Sequence, residues 1–145
     1  MTYSLEDTQE RILAYLRAEM AQTVYETAIP EYTTLKRNDR GQVVPYVAVQ
    51  FGDLVDAYSE TFAGVETGDF WLPITLQAVS GDPVISRKIS NKLIRIMLGW
   101  KEKYGGQVRK RMGGRQLPIN NADGATAAYV NPTSFGVRIQ LFDDV

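Results

Sequence analysis

The sequence predicts a single domain of the α+β class, and three observations carry that reading. An amphipathic helix opens the chain, separate stretches alternate with the period of two that marks strands, and one strand leads directly into a second helix. At 145 residues the chain is long enough for one real core, and 44% hydrophobic against 23% charged residues is an ordinary globular balance. No linker, repeat or composition shift divides it, so residues 1–145 are read as one unit with a long loop at about 113–134.

The centre of the predicted core is the stretch from Asp69 to Trp100. Phe70, Leu72, Ile74, Leu76 and Ala78 alternate with Trp71, Pro73, Thr75, Gln77 and Val79, which gives a strand with one strongly apolar face. Ser80-Gly81-Asp82-Pro83 then stops the strand and starts a helix. Asp82 has the side chain of an N-cap, and Pro83 suits the first helical position. Ile85, Ile89, Leu93, Ile96, Met97 and Trp100 recur at helical spacing, with Arg87, Lys88, Lys92 and Arg95 elsewhere around the cylinder.

The remaining elements follow in order. Ser4 and Asp7 resemble a capping box, and a helix is expected from there to about Gln22, with Leu5, Ile12, Leu13, Leu16 and Met20 as its stripe. Val24 to Leu35 is expected to be extended and broken at Pro30. Lys36 to Gly41 is a polar turn in which Gly41 supplies a positive φ. Tyr46–Phe51 is a strand with Val47, Val49 and Phe51 on one face and Tyr46, Ala48 and Gln50 on the other. Residues 52–68 give no clear element. The second helix is expected to run through Lys101–Tyr104 and break at Gly105-Gly106, followed by a short strand over Gln107–Met112. Gly113 to Ser134, rich in Gly, Asn, Ala and Pro, reads as the long loop, with a short strand at Ala125–Val130 inside it. Phe135–Phe142 is the closing strand.

Composition narrows the chemistry. There is no histidine, which removes a Ser-His-Asp triad and a histidine base, and no cysteine, which removes a disulfide framework and a thiolate metal site. A net charge of −1 argues against a general nucleic-acid or membrane-surface binder. Apolar runs are too short to cross a bilayer and Met1–Asp7 is polar and acidic, so neither anchor nor signal peptide is expected. Synthesis in a cytoplasm fits the absence of cysteine.

Charge is unevenly placed along the chain. From Arg87 to Arg115 there are ten basic residues (Arg87, Lys88, Lys92, Arg95, Lys101, Lys103, Arg109, Lys110, Arg111, Arg115) against the single acid Glu102. Before Arg87 there are five basic residues and thirteen acidic ones. Three readings compete. The basic stretch is a phosphate-binding patch with Trp100 and Tyr104 as stacking partners, a solvated helix face, or one half of a head-to-tail contact between identical subunits. Near-neutral charge with opposed poles favours the last. Asp53, Asp56 and Glu60 mark the acidic counterpart. With Glu66 they also suggest a hard-cation site, and by themselves carboxylate catalysis, but the spacing is not that of a calcium loop. No catalytic constellation emerges, so no cofactor or metal is assigned and a non-enzymatic role is expected.

The order of these elements is familiar. An N-terminal amphipathic helix precedes the strand Pro45-Tyr46-Val47-Ala48-Val49-Gln50-Phe51-Gly52. A strand ending Leu76-Gln77-Ala78-Val79-Ser80 and a helix ending Leu98-Gly99-Trp100 follow, and an aromatic-containing strand closes the chain. This pattern resembles the tail terminator proteins of long-tailed, siphovirus-type bacteriophages, the lambda-type minor tail protein family. The resemblance covers nearly the whole chain through element order and lengths, without a diagnostic motif. It implies a mixed or antiparallel sheet with two main helices packed on one face. It further implies a structural virion protein at the tail neck, assembled as a hexameric ring that caps the head-proximal end of the tail tube and stops its growth. The implied partners are further copies of the chain, the major tail tube protein and the head-tail connector or stopper, with genomic DNA passing through the lumen without sequence-specific binding. On that reading Arg87, Lys88, Lys92, Arg95, Arg109, Lys110, Arg111, Arg115, Asp53, Asp56 and Glu60 are candidates for subunit interfaces or the lumen. The nearest alternative is another neck or tail-completion protein. A small nucleic-acid-binding protein is more distant.

Overall fold

A computed structural model describes residues 5–26, 35–56, 69–101, 108–120 and 126–140. Among the described residues, two helices and seven strands occur in the order α1 (Leu5–Glu19), β1 (Thr23–Glu26), β2 (Tyr46–Phe51), β3 (Val55–Asp56), β4 (Asp69–Ser80), α2 (Pro83–Leu98), β5 (Val108–Gly113), β6 (Leu117–Asn120) and β7 (Thr126–Gln140). All seven strands form one sheet in the order β1-β2-β4-β7-β5, with β3 beside β4 and β6 beside β7. Among the described strands only β1 and β2 pair in parallel, so the sheet is mixed and the fold is α+β as the sequence predicts.

The axis of the sheet is the antiparallel pair β4–β7, in register from Asp69↔Gln140 to Ser80↔Tyr129. Side chains alternate along both strands. Leu72, Ile74, Leu76 and Ala78 therefore lie on one face beside Phe135, Val137 and Ile139, with Val47 and Val49 of β2 next to them. Both helices cover this face. α1 supplies Ile12, Leu13 and Leu16, α2 supplies Ile89, Leu93 and Met97, and Met20 joins them from just beyond α1, which ends at Glu19 short of the expected Gln22. A second, smaller cluster lies on the other face, where Leu35 and Val43 cover Tyr46, Ala48, Val79 and Ala128. β2 is thus buried on both sides from Tyr46 to Val49.

The segment that forms this second cover is held by its own turn. Asn38 Oδ1 accepts from the amides of Arg40 and Gln42 at 2.9 and 3.0 Å, and Gly41 takes the expected positive φ of 74°. Gly81 lets the turn after β4 approach closely, because a Cβ there would meet the Gln42 Cβ at 2.6 Å.

α2 begins as predicted. Asp82 Oδ1 accepts from the Val84 amide at 2.8 Å, and Pro83 is the first helical residue. Its end and its inner face differ from the expectation. The helix stops at Leu98, with the Gly99 amide shared between the Arg95 and Ile96 carbonyls, rather than running to Tyr104. Gly105-Gly106, the expected break, lies outside the described residues. Ile85, expected on the buried stripe, is 40% exposed, and the middle of the inner face is instead Ser86, Ser90, Leu93 and Met97. The serines hid that face from a hydrophobic pattern. Trp100 lies beyond the helix, half-buried against the core, with its ring 5.1 Å from that of Tyr15.

Residues 113–134 depart furthest from the expectation. β6 and β7 pair from Leu117↔Val130 to Asn120↔Thr126, so the stretch read as a loop is mostly sheet. The expected short strand at 125–130 and the closing strand are a single 15-residue element, Thr126–Gln140. Its Asn, Pro and Ser residues fit a strand because β4 pairs along one side, while β5, β6 and the Gly114 amide, which donates to the Pro132 carbonyl, flank the other, and tertiary partners override weak strand propensity. The expected strand break at Pro30, Leu141, Lys103, Tyr104 and the 57–68 stretch fall outside the described residues.

Phe135 is fully buried between β4 and the helices. Phe135→Ala should cost about 3–5 kcal/mol, as large-to-small core changes do. A urea titration gives the midpoint, and one equal to the wild type would remove this face from the core.

Candidate assembly surfaces

The helix layer carries opposite charge on its two members. α2 has no acidic residue between Pro83 and Leu98, and Arg87, Lys88 and Arg95 are exposed on its outer side, with Lys92 half-buried. α1 exposes Glu6, Asp7, Glu10 and Glu19 against Arg17, whose guanidinium donates to the Val24 carbonyl at 3.4 Å. The acidic surface missed by the sequence reading is therefore helical. Its signal was present in the first turns of α1, where three acids also complement the helix dipole.

The basic residues singled out from the sequence do not form one surface. Arg87 reaches Gln116, the residue after Arg115: Gln116 Oε1 accepts from Arg87 Nη1 at 3.4 Å. Arg109 lies on the opposite sheet face, its guanidinium carbon 5.6 Å from the centre of the Trp71 ring. Lys110 and Arg111 belong to β5, the last strand in the order among the described residues. Of the acidic candidates, Asp53 is exposed after β2, Asp56 closes β3, and Glu60 lies outside the described residues.

A polar network fastens the start of α2 to the sheet. The Ser86 hydroxyl is 2.8 Å from the Ala78 carbonyl and 2.9 Å from Asn131 Oδ1, so its single proton is shared between two acceptors. Gln116 Nε2 donates both its protons, to the Pro83 carbonyl at 2.7 Å and to Asn131 Oδ1 at 2.8 Å. Ser90 and Thr133 hydroxyls meet at 3.4 Å one turn along. The cluster is structural: its donors and acceptors face one another. It fixes where Arg115 and Leu117 emerge.

At the other end of the layer, the Tyr15 hydroxyl donates to the Ile96 carbonyl at 3.0 Å. Burial raises the Tyr15 pKa above its ordinary value, and the nearby Glu19 carboxylate adds to the effect. Among the described residues no helix is long and apolar enough to cross a membrane. Comparison of the chain with protein-family models and with curated proteins finds no match.

Two outcomes test this geometry. Asn131→Ala strips the Gln116 amide and the Ser86 hydroxyl of an acceptor and should cost about 1–3 kcal/mol. It should also speed amide exchange in β6, and unchanged exchange would mean that Gln116 does not pin the strand. For Tyr15 the sign follows from proton uptake. The unfolded phenol ionises near pH 10 while the folded one keeps its proton. The stability from neutral Tyr15 is whole below about pH 10 and is lost as pH rises through the raised folded value. Alkaline unfolding should therefore be steeper for the wild type than for Tyr15→Phe, and equal slopes would place the hydroxyl in water.

Proposed function

We propose that the chain is a structural subunit of a long-tailed phage virion, a tail terminator that forms a ring, hexameric in this reading, at the head-proximal end of the tail tube. The observation that supports it best is the division of charge between α1 and α2, on a fold whose helix and strand order is the one on which the resemblance rests. A ring needs two different, complementary surfaces on one subunit, because a head-to-tail contact repeats until it closes. Subunits with opposed charges on adjacent elements meet that need, and the absence of catalysis is part of the same reading.

The mechanism is one of surfaces. A tube of stacked rings grows because each ring leaves a free face that templates the next. A terminator matches that face on one side and offers a different one on the other, toward the connector, so the growth site disappears. DNA crosses the lumen without base-specific contacts, made in the host cytoplasm though the ring is.

Deletion of the gene should leave tails unjoined to heads, with tubes able to pass their set length. Purified protein added to such tails should restore joining without nucleotide or metal. Electron microscopy of lysates reads both. Tails of normal length attached to heads would end the terminator reading, and tails of normal length left unattached would favour a connector instead.

A further inference from the structure

We draw no further inference here: the strongest candidate, the basic surface patch of Arg87, Lys88 and Arg95 on the outer side of α2, is exposed, and nothing in the structure shows what covers it.

Discussion

Everything else in this fold depends on the register between β4 and β7. The two strands pair from Asp69↔Gln140 to Ser80↔Tyr129, and both lie inside the sheet. A slip of one residue would turn Leu72, Ile74 and Leu76 away from the helices and expose them on the far face. A slip of β7 instead would move Asn131 and Thr133 off the helix side. Register is therefore held from two directions, by the apolar side chains at one end of the ladder and by the polar ones at the other.

The way α2 sits on that ladder follows its chemistry. Leu72↔Val137 and Ile74↔Phe135 are wholly apolar pairs, whereas Leu76↔Thr133 and Ala78↔Asn131 bring in polar groups toward the end of β4. α2 runs back along the strands with the matching order, Ser86 and Ser90 over the polar pairs and Leu93 and Met97 farther on. Small hydroxyl residues allow close approach and satisfy the strand groups below them. A buried polar group without such a partner would cost about 1–3 kcal/mol, so the match of helix to sheet specifies position as well as stability.

This packing also decides what the surface can do. Because both helices must lie on the same sheet face, their outer sides form one layer, and the acids of α1 and the bases of α2 become neighbouring surfaces. The far face is different. There Arg109 stacks on Trp71, Thr75 Oγ1 and Ser134 Oγ stand 3.5 Å apart, and a small apolar cluster covers the end near Val79. A chain with a net charge of −1 thus presents strongly charged sides, and the fold rather than the sum sets where they are.

Sequence alone determined the α+β class, the α1 stripe, the full extent of β2, the positive φ at Gly41 and the Asp82–Pro83 start of α2. Each of these rests on neighbours in the chain, through side-chain period, capping or turn chemistry. Tertiary structure decided the rest. Residues 113–134 have loop-like composition and became β6 and most of β7 because long-range partners satisfy their backbone. The inner face of α2 passes through Ser86 and Ser90, which no apolar pattern reveals, because their burial is licensed by Ala78, Asn131 and Thr133 brought from elsewhere in the chain. The single basic stretch from Arg87 to Arg115 was divided between two sides of the sheet, since an alternating strand and a helix send neighbouring residues in different directions.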